Sequence, residues 1–442
     1  MAEINVKGFS GANNVNERFM SKPGIAEPQV ILNADVNLAG ELVKRGGQTL
    51  FISLPNSHSL WACPLCMLCA ADGILYRNVQ GVAVNIGSIT GPKYPLSYVE
   101  AEDKIYISNP YWQGVLDPVT NSLTSWGIPL PPGPMLLTGS GNLPAGTYHV
   151  TMTNVVSGEL SGNGPITNIT LSATGGIQIL NRPSGALVWV TDADEGIFYL
   201  VGEVSQVVNL PTVEPLPSFL CGPPSALENL CYAFGRMWGS NESDVAYSEP
   251  FKLGLYKINA NKFSFDSEIT LIAKVPTGLF IGTKEKTYFL AGTDPDKMVL
   301  SDAGAASIKG TLAYCNNMPE LNNVFGTPEK GYVDVPVWVT SEGYVAGNSS
   351  GKLYNLTKNK IKMGIPAVGA SLYRNLNGVF QYLASFRSGN TGSGAGATDE
   401  TTYNAFKNGK VDVHEKTLNG TTCRASFTDE ATCKVYRNGV EI

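Results

Sequence analysis

The chain has 442 residues, 43% of them hydrophobic and only 15% charged, with 48 glycines, 27 prolines and a formal charge of −6. That length suits about two to four domains or one closed repeat body, and the Gly/Pro content favours short strands and turns over long helices. The acidic balance excludes a broad nucleic-acid-binding face, which needs a basic footprint, but leaves room for a passage through which DNA slides without sticking.

No apolar run reaches the roughly 18 residues of a membrane-spanning helix, so none is expected. The start Met1-Ala2-Glu3-Ile4-Asn5 lacks a basic region and an apolar stretch, and synthesis and folding in a cytoplasm are expected. Eight cysteines are too few for a disulfide scaffold. Cys63, Cys66 and Cys69 have the spacing of a metal site, with His58 as the nearby fourth candidate. Their spacers Pro64-Leu65 and Met67-Leu68 are apolar, and no second Cys or His pair follows at zinc spacing. The expectation is buried thiols on core strands, with no metal and no cofactor.

Strand signals dominate the rest. Residues 147–152, 186–191 and 335–340 are β-branched and aromatic runs bounded by Gly, Pro or Asn. The best helical candidate, 302–309, is short and broken by Gly304. A short phrase recurs, a turn followed by a strand centred on an aromatic residue. Its copies centre on Tyr76, Tyr106, Tyr247, Tyr288, Tyr354 and Phe380. Each reads as the second strand of a hairpin, and before the Tyr288 copy two further strands are expected at 271–275 and 279–282. Six copies predict an all-β propeller of about six four-stranded blades, whose packed ring covers faces that one blade leaves bare. An irregular array of sandwiches is the competing arrangement.

The widest gap, between Tyr106 and Tyr247, is framed by proline-rich stretches at 129–134 and 210–217. Five or six short strands between them predict an inserted sandwich of immunoglobulin or fibronectin type. The expected organisation is 1–132 and 216–390 for the propeller, 133–215 for the insert, and 391–442 for a flexible linker with C-terminal hairpins. Ring closure is expected to use an early strand near 38–50 against a late one. Residues 388–398 have a Gly/Ser-rich composition that makes them a linker or a mobile gate. Asn408-Gly409, Asn419-Gly420 and Asn438-Gly439 are hairpin-turn dipeptides.

Catalytic patterns are absent from the sequence. His58, His149 and His414 sit in unrelated segments, and Gly87-Ser88-Ile89-Thr90-Gly91 lacks the phosphate-loop lysine. Asp192 with Asp194, and Asp294 with Asp296, stand beside Gly or Pro, where aspartate supports turns. No catalytic, cofactor-binding or metal residue is assigned, and the chain is not expected to be an enzyme. Two rivals stand: a propeller glycosidase with carboxylates converging on the axis, and a carbohydrate-binding adhesin using Trp61, Trp112, Trp126 or Trp238. The tryptophans equally suit the core.

Two stretches carry a family likeness. Gly8-Phe9-Ser10-Gly11-Ala12-Asn13-Asn14-Val15 leads to Leu32-Asn33-Ala34-Asp35-Val36-Asn37-Leu38 and Gly40-Glu41-Leu42-Val43-Lys44-Arg45-Gly46-Gly47. Later, Thr147-Tyr148 and Gly158-Glu159-Leu160-Ser161 precede Gly202-Glu203-Val204, Phe234-Gly235-Arg236-Met237-Trp238 and Asp244-Val245-Ala246-Tyr247-Ser248-Glu249-Pro250. In this order they resemble the tail nozzle, hub or tubular proteins of short-tailed bacteriophages, over roughly 8–290; Asp35 and Asn37 stand in swapped order. The resemblance implies a structural virion protein: a propeller with an inserted sandwich, in a homo-oligomeric and commonly hexameric ring below the portal and adaptor. Such a ring is a conduit and gate for DNA ejection, with tail fibre proteins as further neighbours, no membrane insertion and no catalytic residues to carry over.

Overall fold

The computed structural model describes residues 52–210, 214–316 and 334–358, together with 8–9, 20–22, 25–26, 34–36, 41–44, 368–376, 379–387, 403–407, 410–418, 421–427, 433–437 and 440–441. The chain is all-β, with a single 3-10 turn at Pro295–Lys297 among the described residues. The expected helical candidate instead begins inside the strand Val299–Ala305. Two compact units divide it, 54–272 and 1–53 with 273–442.

Five four-stranded antiparallel meanders of propeller-blade type are described, at 58–88, 97–124, 228–264, 269–305 and 313–355; they are called blades I to V. Blade IV begins with Ile269–Val275, the strand in which the unit boundary falls. A hairpin, Val368–Leu376 with Val379–Arg387, follows blade V. All six recurrent phrases fall in separate sheets, one each in blades I to V and one in this hairpin. They do not hold the same position. Tyr76, Tyr247 and Tyr288 lie on third strands, Tyr106 and Phe380 on second strands, and Tyr354 on a fourth. The phrase therefore marks an aromatic strand after a tight turn, wherever in the blade that turn is needed.

The turns follow from local chemistry. Asp72 and Gly73, at φ 48° and 78°, join Ala71 to Ile74 as a two-residue hairpin. Both central residues need positive φ, which aspartate tolerates and glycine adopts freely. Phe234 and Gly235 do the same between Ala233 and Arg236. There a β-carbon on Gly235 would also meet the Phe251 ring at 2.8 Å.

Within unit 54–272, blade II is packed on both faces. Its strand Lys104–Asn109 is buried at every residue after the first. Ile105, Ile107 and Leu116 join Leu68, Ala70 and Leu75 of blade I in one cluster. Tyr106, Val115 and Ala101 join Leu230 and Met237 of blade III in another, together with Trp126. Alternation along a strand sends neighbours to opposite faces, so a strand buried at every position is what a middle layer requires. Each fully buried Ile or Leu contributes about 1.5–3 kcal/mol over exposure. Buried hydroxyls register the blades. Ser108 Oγ accepts from the Leu227 amide at 3.0 Å, and Ser97 Oγ accepts from the Leu230 amide at 2.8 Å.

Between blades II and III lies the sandwich. Its four-stranded sheet runs Thr167–Leu171, Gly146–Thr153, Leu187–Thr191, Phe198–Gly202, and its three-stranded sheet Leu136–Leu143, Gly175–Ile179, Gln206–Val207. Tyr148, Val150, Met152, Leu171, Val188 and Val190 of the first sheet meet Leu143, Ile177, Ile179 and Val207 of the second. The order fits the expected immunoglobulin or fibronectin type: one sheet pairs Thr167–Leu171, Gly146–Thr153, Leu187–Thr191 and Phe198–Gly202 in turn, and Leu136–Leu143 pairs with Gly175–Ile179 in the other. On the outer face, Trp189 and Phe198 pack with Leu216 and Phe219. That contact docks the sandwich on the returning segment. Ser218 Oγ donates to the buried Ser161 carbonyl at 2.7 Å, and the Leu220 amide donates to Asn163 Oδ1 at 2.7 Å. Of the proline-rich return, 211–213 lie outside the described residues.

In the other unit, Phe280 of blade IV contacts Trp338 of blade V at 5.4 Å between ring centroids. Cys315, Val335, Val337 and Ala346 of blade V pack against Tyr373 and Tyr382 of the following hairpin. Ala34–Val36 pairs antiparallel with Leu42–Lys44. Of the early stretch 38–50 expected to close the ring, only 41–44 are described, and this two-stranded sheet has no late strand joined to it among the described residues. A five-stranded meander covers the C-terminal stretch, and its registers Lys407↔Lys410, Leu418↔Thr421 and Arg437↔Val440 bracket the three Asn-Gly pairs. The Asn-Gly residues themselves, and the Gly/Ser-rich 388–398, lie outside the described residues.

Candidate functional site

A groove of about 490 Å³ lies on unit 54–272. Pro223 and Pro224 line it together with the turn 241–244 and the segment 256–262. Glu242, Asp244, Lys257 and Lys262 bring charges of both signs to the lining. Lys262 Nζ lies 2.8 Å from Asp244 Oδ2. That hydrogen bond, with a second from Ser264, holds the Asp244 carboxyl below its usual range. Asn261 Nδ2 donates to Glu249 Oε1 at 2.7 Å. Amides and paired charges of this kind suit contact with a polar surface. Sequence reading quoted Asp244 and Glu249 for the family likeness and did not single out Glu242, Lys257, Asn261 or Lys262; the polar runs at 241–244 and 257–262 were the available signal, but only the fold brings them to one groove.

The cysteine run takes a different place from the one expected. Cys63 and Cys66 are half-buried at the ends of the turn joining His58–Ala62 to Met67–Ala71, and Cys69 is half-buried on the second of these strands. They edge the core of blades I and II instead of filling it. The reason is the apolar pattern itself: Leu68 and Ala70 take the inward positions, so Cys69 faces the other way. Burial pushes the Cys63 and Cys69 thiols up, and Cys66 up to about 11. Among the described residues, no three His, Cys, Asp or Glu side chains are placed to hold a metal ion.

The remaining candidates are scattered. His58 Nδ1 meets Ser59 Oγ at 2.8 Å, and His149 Nδ1 meets Asn168 Oδ1 at 2.6 Å. His414 lies on the C-terminal meander, where the backbone alone is described. Asp194 accepts from the Thr147 amide at 3.0 Å, tying two sandwich strands together. Asp294 caps the 3-10 turn and pairs with Lys297 at 3.0 Å. Trp126 and Trp238 are core: Trp126 Nε1 donates to the Leu253 carbonyl at 2.9 Å, and Trp238 stacks on Phe263 and packs at a tilt against Tyr247. Trp61 and Trp112 are half-buried against the cluster of blades I and II. The exposed aromatic pair is instead Tyr94 with Tyr111, whose rings lie 4.6 Å apart and whose hydroxyls meet at 3.2 Å.

No helix among the described residues is long and apolar enough to cross a membrane. No family model and no curated protein matches the chain. Solved structures with some likeness include "BBS1N in complex with ARL6DN", at 8% identity over 78% of this chain and 92% of that one, with a TM-score of 0.30. Saccharomyces cerevisiae Sqt1 has 10% identity, coverage of 72% and 76%, and a TM-score of 0.25. Kluyveromyces lactis Hsv2 has 9% identity, coverage of 84% and 94%, and a TM-score of 0.22. Likeness at this level carries no argument, and the all-β propeller class rests on the blades themselves.

Proposed function

We propose that the chain is a non-enzymatic structural subunit of a bacteriophage tail, a nozzle or hub that assembles into a ring-shaped conduit for DNA ejection. One observation carries this reading. The sandwich stands between blade II and blade III, at the point in the chain order that the family resemblance implies, and its outer face is seated on Leu216 and Phe219. A docked insert of this kind gives each subunit a fixed lateral projection for contacts with copies of itself and with portal, adaptor or fibre neighbours. The charge of −6 per chain suits a conduit wall that does not grip phosphate.

The test is negative-stain imaging of the purified chain, alone and with virions of a short-tailed phage. Closed rings, or decoration of the tail position, are expected. A chain that stays monomeric and ignores virions overturns the proposal. A second reading, glycan binding, draws support from the exposed Tyr94–Tyr111 pair, since aromatic rings present an apolar face with a polar handle. Saturable glycan binding lost in Tyr111→Ala, without hydrolysis, would favour it; hydrolysis would favour a propeller glycosidase.

A further inference from the structure

The turn Cys63-Pro64-Leu65-Cys66 is built more firmly than a surface loop needs. The Cys63 amide donates to the Cys66 carbonyl at 2.9 Å, continuing the ladder beyond the Ala62↔Met67 pair. Arg77 holds the turn from the side. Its guanidinium donates to the Leu65 carbonyl at 3.3 Å, and also to the Pro118 carbonyl and Asn121 Oδ1 of blade II. A four-residue turn keeps its end Cα atoms within about 7 Å, and a disulfide needs about 4.4–6.8 Å. Directly opposed residues of a hairpin share a face, so the two sulfurs point the same way. The Cys63 thiol is near enough to interact with both the Cys66 thiol and the Glu100 carboxylate. Cys69 lies opposite Tyr76, three positions beyond Cys66, and extended backbone turns it to the other face. Both turn thiols remain partly exposed to solvent, unlike buried Cys221, Cys231 and Cys315.

We propose that Cys63 and Cys66 form a dithiol–disulfide exchange site, closed by a low-molecular-weight disulfide as oxidant. The Cys63 thiol gives its proton to water or to the neighbouring Glu100 carboxylate. Its thiolate attacks one sulfur of the oxidant, breaking that S–S bond and releasing one thiolate, which takes up a proton. The Cys66 thiolate then attacks the Cys63 sulfur of the mixed disulfide, and the second oxidant half leaves as a thiol. Two electrons and two protons have passed to the oxidant, and the turn is covalently closed. The positive Arg77 beside Cys66 favours its thiolate in the closing step. Burial holds both thiols protonated at neutral pH, so exchange is slow there and accelerates with alkali.

The test uses the full chain in a Cys69→Ser background, treated with oxidised glutathione, quenched with acid, alkylated and mapped by mass spectrometry. Expected is a Cys63–Cys66 disulfide whose rate rises about tenfold per pH unit between roughly pH 7 and 9, following the thiolate. Cys63→Ser and Cys66→Ser should each stop at a glutathione adduct on the remaining thiol. Arg77→Gln should slow closure several-fold. Unmodified thiols throughout, or stable adducts without closure when both cysteines are present, would overturn the proposal. Pairing of Cys63 or Cys66 with Cys69 in the natural sequence would overturn it as well.

Discussion

Blade II and the sandwich are both antiparallel β structure, yet their strands are written differently. Lys104–Asn109 is buried at five successive positions, while Thr167–Leu171 alternates between half-buried and exposed until its last residue. The first is a middle layer between blades I and III; the second belongs to a sheet that closes one core and meets solvent along much of its other face. Leu187–Thr191 sits between these cases. It belongs to the sandwich but is buried on both faces, because Trp189 turns outward into the seat formed by Leu216 and Phe219. A continuous apolar run therefore reports how many neighbours a sheet has, not which kind of fold it belongs to.

The strongest way to break this comparison is to remove a side chain that ties two blades. Trp126→Ala deletes ring contacts with Tyr106 and Tyr256 and the bond to the Leu253 carbonyl, and should cost about 3–5 kcal/mol. Urea denaturation should show the loss in unit 54–272; a change below about 1 kcal/mol would contradict the two-faced packing of blade II.

A matched pair sharpens it. Ile107→Ala, from a fully buried position, should cost about 2–5 kcal/mol. Ile169→Ala, half-buried at the rim of the sandwich core, should cost less than half of that, and equal losses would remove the distinction between the layers. Next comes the seat of the sandwich. Ser218→Ala leaves the buried Ser161 carbonyl without this donor and should cost about 1–3 kcal/mol. Protease nicking near 210–217 should rise while the sandwich core stays protected in hydrogen exchange. Unchanged protection of both would place the docking elsewhere.

The smallest effect is electrostatic. Asp244 is depressed by Lys262 and Ser264, so it contributes stability above the ordinary carboxylate range of about 4 and loses it as pH falls through its own lower value. The pair is largely solvent-facing, which limits the contribution to about 0.2–1 kcal/mol. The difference between the natural chain and Asp244→Asn should be present at pH 6 and fade on acidification through the lowered titration of Asp244. A difference that grows toward low pH would reverse the assignment.

Much of the architecture was legible because it is local. The aromatic phrases at Tyr76, Tyr106, Tyr247, Tyr288, Tyr354 and Phe380 each found a sheet of their own, since turn chemistry and two-residue alternation act over a few residues. The strands on either side of the Asn-Gly pairs at 408, 419 and 438 are paired, although the pairs themselves lie outside the described residues. The candidate site was far less legible. Glu242 and Lys257 line one groove with Pro223 and Pro224, a grouping that only the fold makes. The exposed tyrosine pair joins Tyr94 to Tyr111 across a turn and a strand, while the tryptophans that drew attention in sequence are core or half-covered.

By itself the sequence determined the class of element and the aromatic strands that follow tight turns, because propensity, turn type and hydrophobic period are short-range properties. Tertiary structure decided which faces those strands cover, how the sandwich strands divide between their two sheets, and that Cys63 and Cys66 close a turn at the edge of a core. Those outcomes depend on contacts between residues far apart in the chain. Leu227 meeting Ser108 and Ser218 meeting Ser161 are examples, and no local pattern encodes such pairings.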